Sequence, residues 1–324
     1  MNFAITVLMT TYNCGKYISQ AIKSILNQTF KDFEFLIIDD GSSDNTDEIV
    51  KSFEDGRIVY KKNEHLGRSK ALNFGLSFAK YDWISIMDAD DIAHPLRFEK
   101  QVKSITNFEN EICFTDAAFF KEDRILYTLK NNFDNRNIND ILALHGHFTN
   151  STFLFNRKHI IKFGGYNENI EVFEDYDLWL RIKNDSRFLF VTDFLQYVRI
   201  RNESLTNSNI KNLDKKVYLL QEPYYNDIKY SFGIYGFSEQ TKLKAWREFF
   251  YGDKKLARVY WNQINFWNLN YRVLIAYILT FLPENILIWF KRKRFRLRLQ
   301  YWVQKFTTFK GLDKEFKKKL REVS

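Results

Sequence analysis

The chain has 324 residues, 45% of them hydrophobic, with only 12 Gly and 3 Pro. That length suits one large globular domain with an appendage, or two domains, and the composition excludes a disordered or low-complexity chain. Charge is uneven: residues 1–200 carry 24 Lys+Arg against 29 Asp+Glu, and residues 201–324 carry 25 against 11. A net −5 therefore precedes a net +14, which predicts a tail with an anionic partner. Cys14 and Cys113 are the only cysteines; they exclude a disulfide framework and suit a reducing, cytosolic compartment.

The first seven residues lack a basic lead and read as an opening strand rather than a secretion signal. Residues 3–9 form a continuous apolar run, the pattern of a strand buried on both faces. Ile18, Ala21, Ile22 and Ile25 then recur at helical spacing. A second buried-type strand over 33–38 ends in Asp39-Asp40-Gly41-Ser42. Asp44, with Asp47 as its capping-box partner, opens a short helix to residue 50. A strand at 58–60, a helix over 69–78, a strand over 83–87 and a helix from Pro95 continue the alternation. Such a rhythm predicts a mainly parallel sheet flanked by helices.

From residue 112 the rhythm changes. Strands are expected over 112–120 and 151–156, a polar loop over 131–140 and a helix over 174–183. Beyond residue 205 only helices are expected. The division is thus an α/β domain over 1–205 and a helical, basic, aromatic-rich region over 206–324.

Ligands of an open parallel sheet bind beyond the carboxyl ends of its strands. Here those ends read Thr10-Thr11-Tyr12-Asn13, Asp39-Asp40-Gly41-Ser42-Ser43 and Asp88-Ala89-Asp90-Asp91. Carboxylates two residues apart at a strand end can both reach one hard divalent cation. A lone Asp-x-Asp is ordinarily a solvated turn; three acids directly after an apolar strand in this topology point to a site. Neither G-x-G-x-x-G nor G-x-x-x-x-G-K-[ST] occurs, so a diphosphate would be handled by metal and side chains rather than by a glycine-rich loop.

Six segments in order resemble family-2 glycosyltransferases: Val7-Leu8-Met9-Thr10-Thr11-Tyr12-Asn13, Ser24-Ile25-Leu26-Asn27-Gln28-Thr29, Ile37 to Asp44, Gly67-Arg68-Ser69-Lys70-Ala71-Leu72-Asn73, Met87 to Asp91, and Phe173-Glu174-Asp175-Tyr176-Asp177-Leu178-Trp179-Leu180-Arg181. The resemblance spans residues 3–200. It implies a GT-A type α/β domain and inverting transfer of a sugar from a nucleotide diphosphate, by preference a UDP-sugar, to a hydroxyl acceptor. Thr10 and Tyr12 would lie along the nucleoside and Asp40 would accept the base imide N–H. Arg68 and Lys70 would lie near the nucleotide, Asp88 at the ribose or donor sugar, and Asp90 on Mn²⁺ or Mg²⁺. Asp175, with Glu174 as fallback, would be the general base that an acceptor hydroxyl needs. Acids opening a helix are also favoured by its dipole; the accompanying motifs favour catalysis. One departure concerns the acceptor side: many relatives carry a His where this chain has Asn150, with His145 and His147 slightly upstream.

The longest apolar stretch, 273–290, is interrupted by Pro283-Glu284-Asn285 and falls short of a bilayer span of about 20 residues. Two short helices are expected. Six of residues 291–298 are basic, and Tyr301, Trp302 and Phe306 follow. Over 271–306 this mixture suits an anionic leaflet, which predicts a cytoplasmic protein peripheral to the inner membrane face. A glycan or lipid-linked saccharide is the expected acceptor, in surface polysaccharide or lipopolysaccharide synthesis, and no nucleic acid is expected. The rivals are a catalytically silent nucleotide-sugar binder or scaffold, a nucleotidyltransferase lacking its glycine-rich basic loop, and an RNA-binding protein resting on the tail alone.

Overall fold

The structure is a computed structural model that describes residues 3–106, 108–129, 149–201, 210–225, 241, 244–249, 252–264, 271–283, 286 and 309–323. Strands β1 (Ile5–Thr11), β2 (Phe33–Asp39), β3 (Ile58–Lys62) and β4 (Trp83–Asp88) pair in parallel in the order β3-β2-β1-β4. Ile5, Val7, Leu8 and Met9 are wholly buried, as are Phe35, Leu36, Ile37 and Ile38, which explains why these strands read as largely apolar runs rather than as alternating ones. Helix α1 (Ile18–Leu26) buries the expected face of Ile18, Ala21, Ile22 and Ile25. Helices α2 (Thr46–Lys51), α3 (Arg68–Phe78) and α4 (Arg97–Ser104) supply the other connections. The capping box is not formed: Asp47 pairs with Lys51 at 2.8 Å, while Asp44 accepts from the backbone and hydroxyl of Thr46.

Beyond β4 the sheet is mixed. A bridge-length strand β5 (Ile92–Ala93) precedes β6 (Glu111–Lys121) and its hairpin partner β7 (Arg124–Leu129). The expected strand over 151–156 is instead a 3₁₀ turn at Asn150–Thr152 followed by β8 (Leu154–Asn156), which runs antiparallel to both β4 and β6. Helices α5 (Arg157–Lys162) and α6 (Glu174–Ile182) lead to β9 (Arg187–Arg199), parallel to β6 and antiparallel to β5. The order among the described residues is β3-β2-β1-β4-β8-β6-β9-β5. Sequence reading misses β9 because its inner residues do not alternate cleanly: Phe188, Leu195 and Tyr197 are buried, yet Thr192 and Asp193 between them are exposed.

The chain forms two compact units, one of residues 1–136, 148–201 and 308–324, the other of 137–147 and 202–307. The last helix, α10 (Phe309–Val323), thus lies with the α/β unit and not with the helical region it follows in sequence. Phe316 is wholly buried between Phe120 and Tyr197, with ring centroids at 4.7 and 4.8 Å. His94 meets Glu315 at 2.9 Å, and Asp313 accepts from the backbone of Ile125. The second unit contains helices α7 (Ile210–Tyr225), α8 (Lys254–Asn262) and α9 (Tyr271–Leu279), and residues 244–249 are also helical. Its core gathers Ala245, Phe249, Ala257, Trp261, Ala276 and Leu279. No helix of the described residues is long and apolar enough to cross a membrane. The basic run 291–298, His145 and His147 lie outside the described residues.

Candidate active site

Register aligns the three polar strand ends. Thr10 stands beside Ile38 on one side and Asp88 on the other, and Thr11 stands beside Asp39. Two loops interlock above them. Asn13, at φ 50°, accepts the Ser43 and Asp44 N–H groups through Oδ1, while its own N–H donates to Ser42 Oγ. Asp39 accepts from Ser42 N at 2.8 Å and from the Tyr60 hydroxyl at 2.6 Å. Gly41 has φ +82°, and a Cβ there would come within 2.7 Å of the His65 nitrogen. The first Asp of the pair is therefore a scaffold residue.

Asp40, almost fully buried, accepts the Leu66 and Gly67 N–H groups at 2.9 and 3.0 Å, and His65 Nδ1 lies 2.9 Å from its carboxylate. The half-exposed Tyr12 ring stacks on His65, with centroids 4.1 Å apart and planes at 19°. His65 carries no local sequence signal; only the fold brings it beneath Tyr12.

The turn after β4 separates its three acids by partner. Asp88 accepts from Arg68 at 2.6 Å. Asp90 pairs with Arg201 Nε at 2.6 Å. Asp91 is wholly buried and accepts from Ser151 Oγ at 2.6 Å and from the Arg199 backbone at 3.0 Å. The third acid thus ties β4 to β9 and to the 3₁₀ turn. Burial and the neighbouring Asp88 raise the Asp90 carboxyl, with Arg201 opposing; burial and Asp90 raise Asp91 well above the usual carboxylate range. Behind them the wholly buried Arg97 donates to Ser85, Gln196 and the Ile86 carbonyl. Burial pulls its guanidinium down to about 9.

Arg68 joins the two expected acid groups. While one terminal nitrogen holds Asp88, its Nε donates to Glu174 Oε1 at 2.5 Å. The 106-residue gap between Arg68 and Glu174 closes because α6 begins beside the β4 turn. Phe173, just before Glu174, sits in the left-handed region at φ 70°, a costly conformation for an aromatic residue that is found where geometry is functionally fixed. Asp175 is pushed up to about 7 by burial and by the like charge of Glu174, with Arg68 opposing. A carboxylate in that range is suited to act as a general base at neutral pH. Lys70 is exposed on α3; two residues from Arg68 it faces away, since i and i+2 diverge on a helix.

The scaffold beneath α6 explains the rest of its motif. Arg181 bonds Asp177 and the carbonyls of Phe163 and Gly165. Asn73 accepts the Tyr166 N–H and donates to its carbonyl. A Cβ on Gly165 would strike Asn73 at 2.6 Å. Tyr166 is buried, and its hydroxyl has no hydrogen-bond partner among the described residues. Burial raises it well above the usual phenol range, and Asp175 and Glu174 raise it further. Asn150 is likewise buried, and its amide has no hydrogen-bond partner among the described residues. Sequence reading missed Arg199, Arg201 and Tyr166. The signal for the arginines was an Arg-x-Arg closing an apolar segment; Arg199 is the last residue of β9 and Arg201 lies two residues beyond it.

Residues 6–164 match the domain described as Glycosyl transferase family 2. The O-antigen biosynthesis glycosyltransferase WbnJ of Escherichia coli is 35% identical over 228 residues, covering 67% of this chain and 88% of its own. This chain belongs to glycosyl transferase family 2. Solved structures agree on the GT-A-like fold. S. aureus TarS 1–349, in complex with UDP-GlcNAc, aligns with a TM-score of 0.59 at 15% identity, over 86% of this chain and 79% of TarS. The mannosyltransferase PcManGT of Pyrobaculum calidifontis, in complex with GDP-Man and Mn2+, aligns with a TM-score of 0.53 at 14% identity, over 99% of this chain and 86% of its own. The protein is a glycosyltransferase of α/β, GT-A-like architecture with additional C-terminal helices.

Proposed function

We propose that this glycosyltransferase transfers a sugar from a UDP-sugar to a glycan or lipid-linked hydroxyl with inversion, in assembly of a surface polysaccharide. The observation that carries the reading is the pair of Arg68 contacts, which hold the Asp88 turn and the Glu174–Asp175 pair in one centre. Asp175, near neutrality, takes the acceptor proton as the hydroxyl attacks opposite the departing diphosphate. Glu174 raises the affinity of Asp175 for that proton by its charge and is itself fixed by Arg68. Arg68, which cannot be deprotonated, also offers charge to the diphosphate.

The donor set fits a hard divalent cation. Asp88 and Asp90 present carboxylate oxygens at one strand end, and such cations are commonly held by one or two carboxylates together with substrate phosphates. Among the described residues no group of three or more His, Cys, Asp or Glu is arranged to hold a metal by itself. Asp90 is the proposed ligand; the ion would neutralise the leaving diphosphate. On the nucleoside side, Thr10 and Tyr12 flank the base. Asp40 Oδ2 faces both the Gly67 N–H and His65 Nδ1, whereas Oδ1 accepts the Leu66 N–H and has a second lone pair to offer a base imide.

Peripheral attachment to the inner membrane face belongs to the same reading. Leu274, Ile275, Ile278 and Phe281 are exposed ahead of the basic run 291–298, and apolar side chains with lysines and arginines suit an anionic leaflet. The decisive experiment is a donor panel: nucleotide sugars with Mn²⁺ or Mg²⁺, diphosphate release measured, and product anomers read by NMR. Turnover of none of them, or retention of configuration, would end the reading. Pelleting with neutral vesicles as readily as with anionic ones would end the membrane part.

A further inference from the structure

The end of β9 and the residues just beyond it bring two arginines, Arg199 and Arg201, to the acid centre, and they are held differently. Arg199 is built in: its backbone N–H donates to Asp91, its Nε to the Asp90 carbonyl at 2.8 Å and a terminal nitrogen to Gln20 at 2.7 Å. Its guanidinium also lies 4.5 Å from the Phe120 ring centroid. Arg201 meets the centre at a side-chain carboxylate, with Nε 2.6 Å from Asp90 Oδ2 and its side chain 29% exposed. The carboxylate assigned to the divalent cation therefore already carries a cation.

A guanidinium does not leave by losing a proton in proteins, so a metal ion reaching that oxygen must move Arg201 aside. The charges indicate where it goes. A divalent cation arriving with a nucleotide-diphosphate sugar adds two positive and two negative charges, so the displaced arginine finds a new anion beside it. Its planar fork matches phosphate oxygens. We propose that Arg201 is a displaceable counter-cation of Asp90, giving up the carboxylate to the metal and taking hold of the donor diphosphate. The inference rests on the reading of Asp90 as metal ligand. It makes metal and donor bind as a pair: each alone must work against Arg201, and together they satisfy it.

The test is titration of the full-length protein with Mn²⁺ followed by EPR of the free ion, with and without UDP. In the unmodified protein, UDP should tighten Mn²⁺ binding about tenfold or more. Arg201→Gln should bind Mn²⁺ alone roughly tenfold tighter, since one like charge is removed from the cation's neighbourhood, and should bind UDP at saturating Mn²⁺ roughly tenfold more weakly. Arg201→Lys, which keeps the charge, should bind Mn²⁺ alone as the unmodified protein does. Mn²⁺ affinity unchanged or weakened in Arg201→Gln, or absence of UDP synergy in the unmodified protein, overturns the proposal. Adding Asp90→Asn to Arg201→Gln should abolish the tightened site. Its persistence would instead sink the assignment of Asp90 as ligand, a separate failure.

Discussion

Two neighbouring regions at the carboxyl edge of the sheet handle their polar groups in opposite ways. The interlocked loops at residues 12–15 and 39–46 close on themselves: Asn13, Asp39, Ser42, Asp44 and Thr46 bond one another's backbone and side chains. The acid centre is instead held by arginines from elsewhere, Arg68 from α3 and Arg201 from beyond β9. A group saturated by short-range hydrogen bonds sets shape; a carboxylate paired with an arginine side chain can in principle exchange it for another cation. The lesson is that acidic motifs of similar appearance divide into scaffold and chemistry according to what holds them.

The comparison breaks first, and most severely, at Asp175. Asp175→Asn should lower kcat by roughly 10²–10⁴-fold, the usual size of a general-base contribution, while calorimetry shows donor affinity retained. Loss of only a few-fold would move the base to Glu174 or to another group. In the unmodified enzyme kcat/KM should climb as pH rises through about 7, because Asp175 must be unprotonated to accept a proton and its carboxyl is pushed up to about 7. Arg68→Gln removes the charge that holds that carboxyl down, so the midpoint of the profile should shift to higher pH. A shift to lower pH would contradict the assignment.

On the scaffold side the effects should be on stability. Asp39→Asn weakens the bonds from Ser42 and Tyr60 and should cost about 1–3 kcal/mol in urea unfolding, leaving the midpoint of the pH profile in place. A changed midpoint with unchanged stability would put Asp39 among the chemical groups. The smallest expected effect is at Tyr166. Because its buried hydroxyl lacks a partner among the described residues, Tyr166→Phe should leave unfolding stability unchanged or raise it by up to about 1 kcal/mol, since an unpaired buried hydroxyl carries a desolvation cost. A loss above about 1 kcal/mol would mean that the hydroxyl is bonded after all.

What the sequence disclosed divides along similar lines. Strands β1, β2 and β4 were legible because burial on both faces leaves a largely apolar run, interrupted only by Thr6, Glu34 and Ser85, that ends abruptly in polar residues. Asp88, Asp90 and Glu174-Asp175 stood out for the same reason, as acids at the edges of apolar elements. Arg201 did not, because its meaning depends on a preceding strand whose residues do not alternate cleanly between buried and exposed. Asp40 and Arg68 were singled out, yet their partners were not foreseeable, since loop 65–67 and α6 reach them only through the folded sheet.

The homing of α10 onto the first unit has a practical consequence for anyone cutting this protein. In chain order residues 202–307 fall between β9 and α10, both of which belong to the first unit. A fragment trimmed at residue 205, where a linear reading would place the border, would strip away Phe316 and lay bare Phe120, Tyr197 and Ile125. Such a fragment should be sticky and poorly soluble, whereas one that loops out 202–307 through a short linker and retains 308–324 keeps that apolar seam shut.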